Sequence, residues 1–281
     1  KYKKKIWETS TLSARVISWI LNIDIILSNS TFEFKKNFFD CIISQTNHLK
    51  KNIKFEKDLE KKVEILTAII LTGLVFKEYE ENFDMGIKEM ESLVKIFFDN
   101  KGFPLSRNPN DLVFFSKYFI FCKEIIKDSQ KYIPEFLEDI VEKNLKCIHY
   151  IKTPNDCLPL FNGATSLNVG QIQKYLDDFK PDNKENNLGG LFRIKHKNHF
   201  LVVDIGKQIG RYLENLKSNN KKNNLGGLFK IKHKNHFVLI DVDKPPQKKF
   251  SKSYQSGPLS FEYFLDGVKI VTNSGFGSNI S

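Results

Sequence analysis

Apolar residues recur every three or four positions through the first 180 residues of the chain. Phe34, Phe38, Cys41, Ile42 and Leu49 make one stripe, Leu59, Val63, Leu66, Ile70 and Leu74 a second, and Ile87, Met90, Val94 and Phe97 a third. Phe115, Phe119, Cys122 and Ile126 continue the series, followed by Leu137, Val141, Leu145 and Ile148. That spacing puts each set on one side of a helix and predicts successive amphipathic α-helices. Asn108 before Pro109 reads as a helix cap followed by proline at the first helical position, where a missing N–H costs nothing, and Pro134 is expected to open the next helix in the same way. Helices of this length on short links stack as antiparallel hairpins. Periodicity alone leaves a toroid, a bundle and a solenoid all open.

Beyond Asp182 the pattern changes to short apolar runs separated by turns. Leu191 to Lys195 and Phe200 to Asp204 flank the polar His196-Lys197-Asn198-His199 and predict a β-hairpin. The hairpin occurs twice: residues 186–204 return as 223–241, an offset of 37, with four conservative differences in nineteen positions. Upstream, Gln171-Ile172 with Tyr175-Leu176 returns as Gln208-Ile209 with Tyr212-Leu213. The repeated unit, about 171–207 and 208–244, is a short helix, a polar linker and a hairpin. Two copies fall short of a solenoid and read as a tandem duplication. The second copy, which runs into Pro245-Pro246 and the following strand, is expected to occupy the working position in the fold.

With 281 residues and 41% hydrophobic positions, the chain can fill the cores of two globular domains. The longest apolar run, Ile65 to Phe76, is broken by Thr67, Thr72 and Gly73 and is too short to cross a bilayer, so no transmembrane segment is expected. The chain starts at Lys1 and stops at Ser281 just past a strand-like segment, and is expected to be a piece of a longer protein. A net charge of +11 points to an acidic partner. Only Arg15, Arg107, Arg193 and Arg211 are arginine among 44 basic residues, a lysine bias that argues against selection for bidentate anion recognition. No basic face interleaved with aromatics is present, so no nucleic acid is expected as partner. Cys41, Cys122, Cys147 and Cys157 lack metal or redox spacing, and the first three read as small buried hydrophobes. The repeated His-Lys-Asn-His reads as a solvated turn, because a zinc site needs a third ligand nearby. His48 and His149 read as histidines at the edge of a helical core.

Four segments carry a resemblance. Ser253-Tyr254-Gln255-Ser256-Gly257-Pro258-Leu259-Ser260-Phe261-Glu262 precedes Gly267-Val268-Lys269-Ile270-Val271-Thr272-Asn273-Ser274-Gly275. Gly102 to Pro109 contains Ser-Arg-Asn-Pro, Leu158 to Gly163 reads Leu-Pro-Leu-Phe-Asn-Gly, and Leu12 to Trp19 reads Leu-Ser-Ala-Arg-Val-Ile-Ser-Trp. In this order and spacing the chain resembles the heparinase II/III family of polysaccharide lyases. The resemblance implies a multidomain α and β architecture: an α/α toroid over 1–180, then the start of an antiparallel β-sandwich over 181–281. It also implies a periplasmic or cell-envelope location and an acidic, uronic-acid-containing polysaccharide as partner. Oligomeric state is left open.

Lyases of this kind cleave by β-elimination. A base removes the proton beside the uronate carboxylate, a neutralising group holds the carboxylate charge, and an acid protonates the leaving oxygen. The matching residues here are Arg107, Asn162 and Tyr254 as candidate catalytic groups, with Asn108 and Gln255 as candidate substrate contacts. Each has a plainer reading: a structural salt bridge for Arg107, a helix cap for Asn108, a turn before Gly163 for Asn162 and edge packing for Tyr254. The chain departs from the family where His is usual (Gln255), where Asp supplies a metal ligand (Asn273), and where a Tyr-x-His-like pair follows the helix-opening proline (Asn110, Asp111, Leu112). No metal and no cofactor are therefore expected. The competing expectation is a glycan-binding or envelope protein that keeps the fold without catalysis.

Overall fold

A computed structural model describes residues 4–152, 157–165, 169–178, 192–196, 199–203, 224–225, 228–233, 235–241, 246–250 and 260–272. Helices occupy the first part: α1 (Thr9–Leu21), α2 (Ile23–Leu27), α3 (Phe32–Asn52), α4 (Leu59–Val75), α5 (Glu81–Phe97), α6 (Pro109–Asp128), α7 (Glu135–Ile151) and α8 (Gln173–Asp178). Among the described residues seven strands follow: β1 (Phe192–His196), β2 (His199–Val203), β3 (Asn224–Leu225), β4 (Leu228–His233), β5 (His236–Asp241), β6 (Phe261–Leu265) and β7 (Val268–Val271). The fold is mostly helical with a small antiparallel sheet. Two compact units divide the chain, one of residues 1–96 and 117–139, the other of 97–116 and 140–281.

In the first unit α1 packs on α3 and α4. The helices begin where the chemistry allows: the Thr31 hydroxyl accepts from the Phe34 amide (3.2 Å), and the Asp58 carboxylate from the Glu60 amide (3.1 Å). α4 is buried almost all round, with Val63 and every residue from Ile65 to Gly73 buried, which explains the apolar run noted above. Gly73 and Gly86 let α4 and α5 close on each other. A Cβ at Gly73 would lie 2.2 Å from the Phe83 backbone nitrogen, and one at Gly86 would lie 2.5 Å from Ile70 Cγ1. The α3 stripe needs correcting: Phe38, Ile42 and Leu49 are buried, but Phe34 and Cys41 face out. None of the described helices is long and apolar enough to cross a membrane.

In the second unit Phe97, Phe98, Phe103 and Phe115 form an aromatic core, joined by Phe250 against Phe97 at 5.6 Å between ring centres. α6 starts at Pro109, with the Asn108 side chain accepting from the Asn110 amide (2.9 Å). Pro134 sits one position earlier than its sequence reading, outside α7, where its carbonyl accepts from Leu137 and Glu138.

Both repeats form hairpins in the same register, His196 opposite His199 and His233 opposite His236. β1 and β2 make a two-stranded sheet, while β4 and β5 join a five-stranded sheet in the order β3-β4-β5-β6-β7, with β5 paired to the Ser-Phe-Glu strand β6. β6 and β7 turn through Asp266 and Gly267 (φ 52° and 79°), the left-handed pair that a two-residue hairpin requires.

Candidate functional site

The quoted motifs of the second unit meet in space. Arg107 lies in a left-handed turn (φ 59°) closed by its amide on the Pro104 carbonyl (2.9 Å), a backbone conformation that costs a non-glycine residue about 1–2 kcal/mol. Its guanidinium donates to the Asp241 carboxylate at the end of β5, and both side chains are only 7% exposed. Asn162, also left-handed (φ 52°) and followed by Gly163 (φ 84°), donates from Nδ2 to the Arg107 carbonyl at 3.1 Å. Its Oδ1 has no hydrogen-bond partner among the described residues.

On the neighbouring strand, the fully buried Glu262 of β6 accepts from the Leu160 amide (3.1 Å) and pairs with Lys269 of β7 (3.1 Å). The Ser-Arg-Asn-Pro turn, the Phe-Asn-Gly turn, the end of the repeated hairpin and the Ser-Phe-Glu strand thus form one connected polar network. Ser106 fixes the start of α6 by donating to Asp111 (2.6 Å), and Asn110 reaches Thr165 at 2.8 Å. Arg107, Asn108 and Asn162 are brought together. Tyr254, Gln255 and Asn273 lie outside the described residues, as does the second copy of the short helix at 208–213.

Two parts of this network were not visible as site residues in the sequence. Asp241 and Glu262 are single acids in strands, and only their pairing with groups 134 and 102 positions away shows what they do. On the same side of β4, Lys230 lies over the rings of Tyr150 (5.5 Å) and Phe237 (5.4 Å). Burial of its amine, with the neighbouring Lys232 and Lys152 charges, pushes its pKa down to about 8. His149 is lowered from its ordinary value by burial, with Lys230 and Lys152 adding to the effect. At the hairpin turn His236 Nδ1 and the Tyr263 hydroxyl are 2.6 Å apart with stacked rings, and no group of three potential metal ligands occurs among the described residues.

A cleft of about 770 Å³ opens in the first unit, lined by Trp7, Asp40, Ile43, Ser44, Asn47, His48 and Lys51. Six of these follow the helical spacing 40, 43, 44, 47, 48, 51 and form one face of α3, turned away from the buried stripe. His48 is a wall of this cleft and stands edge-on to Trp7 at 5.3 Å, with Asn47 exposed beside it. Periodicity had placed His48 at the edge of a core. The signal that would have found the cleft is this second, polar stripe on the same helix. An imidazole, a primary amide, an ammonium and an indole face on one concavity can hold a sugar ring, neutralise a carboxylate and move a proton.

No protein-family model and no curated protein matches the chain. Among solved structures it is similar to heparinase III, with TM-scores of 0.68 and 0.69 in two structures at 15% and 14% identity. It is also similar to heparan sulfate lyase HepC from Pedobacter heparinus (TM-score 0.64, 17% identity). In each case the match covers 96% of this chain and between 40% and 43% of the other. The chain therefore spans less than half the length of these lyases, and at such identity the likeness is one of fold.

Proposed function

We propose that the chain is part of a heparinase II/III-like polysaccharide lyase acting on an acidic, uronic-acid-containing polysaccharide by β-elimination, with an α/α toroid to residue 180 and the opening of a β-sandwich after it. The observation that carries this reading is the α3 cleft, where His48, Asn47, Lys51 and Trp7 converge in a chain whose fold is similar to that of heparan sulfate lyases.

In the cleft Trp7 gives a sugar ring its apolar face, and Lys51 with Asn47 takes the uronate carboxylate, lowering the cost of charge that develops there as the adjacent carbon loses its proton. His48 is the base for that proton. The C–O bond to the leaving sugar breaks, a double bond forms in the ring, and the leaving oxygen takes the proton that His48 has removed. The resemblance carries a separate, alternative set in the second unit, with Arg107, Asn162 and Tyr254 as catalytic groups and Asn108 and Gln255 as substrate contacts. The burial of Arg107 against Asp241 favours the cleft residues as the first to test.

The test is the absorbance of the unsaturated uronate product across a panel of acidic polysaccharides. His48→Ala is expected to lower the rate by about 10²–10⁴-fold, the usual range for a general base. A panel that is bound but never cleaved supports the alternative, a non-catalytic glycan-binding protein on the lyase fold, to which the Gln255 and Asn273 departures also point. A panel neither bound nor cleaved overturns both readings.

A further inference from the structure

Lys230 of β4 lies opposite Leu239 of β5, which lies opposite Glu262 of β6, so the three side chains share the face of the sheet on which Leu239 and Glu262 are fully buried. Its amine stands over the rings of Tyr150, at the end of α7, and of Phe237, and the side chain keeps part of its surface open to solvent. Among the described residues no carboxylate meets it. β1, β2, β3, β4 and β7 contain no acidic residue. Asp241 of β5 is held by Arg107, Glu262 of β6 by the Leu160 amide and Lys269, and Glu142, the last acid of α7, pairs with Lys146 at 2.6 Å. The charges that act on Lys230 are those of Lys232 and Lys152, and His149 in the last turn of α7 feels the same two lysines 230 and 152.

The negative end of the α7 dipole draws cations to this place, and His149 and Lys152 belong to its last turn or just beyond it. That attraction does not win at Lys230, where burial and like charges hold the amine at about 8. At pH 7 about a tenth of it is therefore free base, against fewer than about one in a thousand for an exposed lysine. A recessed free amine beside other cations is a nucleophile. The repeat supplies the contrast. The same position in the first copy is Arg193, opposite Val202 in the same register, and an arginine does not shed its proton. The other three differences between the copies exchange only Val, Leu and Ile.

We propose that Lys230 is a carboxylation site, which takes up carbon dioxide as a carbamate. The nitrogen lone pair forms the N–C bond, one C–O π pair moves onto oxygen, and one amine proton goes to solvent; nothing is oxidised or reduced. Carbon dioxide is small, uncharged and apolar, so it can reach an amine that lies between two rings. Its product reverses the sign of the cluster's centre, setting one negative charge among Lys152, Lys232 and His149 where a positive one stood. The site asks nothing of the α3 cleft and stands apart from the lyase reading.

The experiment incubates the whole chain with carbon-13 bicarbonate at pH 8, where about half of the Lys230 amine is free base. Carbamate is read by carbon-13 resonance, then fixed by alkylation with a trialkyloxonium salt and placed by peptide mass mapping. The α-amine of Lys1 is the internal reference, because an α-amino group is also partly free base at this pH but has no such surroundings. Occupancy at Lys230 is expected to exceed that at the Lys1 α-amine by about fivefold or more, since only Lys230 gains from neighbouring cations. Lys230→Arg keeps the positive charge and should lose the additional resonance, with the Lys1 signal unchanged. Should that variant fail to fold, the map of the parent chain decides. Label at Lys230 no greater than at Lys1, or spread evenly over the other lysines, overturns the proposal.

Discussion

Arg107 is the residue where chemistry and composition meet. In a chain that writes most of its basic positions as lysine, the two arginines with described side chains both tie distant segments together. Arg15 bonds the Gln45 side chain (3.0 Å) and the Ile6 carbonyl (2.9 Å), and Arg107 binds Asp241. A planar fork with several donors suits such ties better than an ammonium does. Removing one partner of a buried pair leaves the other charged and dry, so Arg107→Ala is expected to cost about 3–5 kcal/mol of unfolding free energy. Arg107→Met with Asp241→Leu should recover much of that loss, because both charges leave together. Denaturant melts of the singles and the double decide it: additive losses would mean that the two side chains are not coupled.

Lys230 calls for the opposite experiment. Its pKa falls from 10.5 to about 8 on folding, so its burial penalty is fully present below pH 8. Between pH 8 and 10.5 the unfolded chain binds a proton that the folded chain does not, and stability rises with pH by at most about 3 kcal/mol before levelling off. Lys230→Met should be more stable than the parent at pH 7 and lack that rise.

At the scale of elements, regular spacing was legible and close approach was not. The helical stripes, the cap at Asn108 and the two hairpins follow from period and turn chemistry, which act over a few residues. Three features escaped that reading for physical reasons. Phe34 and Cys41 satisfy the helical spacing of α3 yet face out, because spacing gives a face without saying where its partner helix ends. The cleft face of α3 is polar, and a polar stripe reads by default as solvated surface. The Glu262 to Leu160 bond joins segments about a hundred residues apart, which no local pattern can report. The glycines of α4 and α5 are a further case, since Gly73 is a helix weakener by propensity and a contact point by geometry. Gly73→Ala is expected to destabilise the chain by about 1–3 kcal/mol or more despite its better helix propensity, since its Cβ would collide with the Phe83 backbone. An unchanged thermal midpoint for Gly73→Ala would mean that the two helices are less closely packed than described.

At the scale of the whole molecule, the repeat gives the chain two interchangeable pieces. Each copy carries the hairpin, and each ends in an aspartate, Asp204 or Asp241, of which the second holds Arg107. Deleting 186–222 joins Glu185 to Asn223 and keeps β4 and β5 as they stand. Deleting 205–241 joins Asp204 to Val242 and offers β1 and β2 in their place, with Asp204 in position to take Arg107 and with Leu201, Val202 and Val203 replacing Val238, Leu239 and Ile240. Both 37-residue deletions are expected to unfold cooperatively, because the sheet needs one hairpin beside β6 and either sequence satisfies the same pattern of buried and exposed positions. They should differ in one property. The second deletion puts Arg193 where Lys230 stood, and an arginine cannot shed its proton in the range where Lys230 does. Its stability should therefore lack the rise between pH 8 and 10.5 that the first deletion keeps, and it should be the less stable of the two at pH 9. If the second deletion fails to fold while the first succeeds, the copies have diverged in their packing and the hairpins are not equivalent. A shared rise with pH in both products would instead assign the titration to a group other than Lys230.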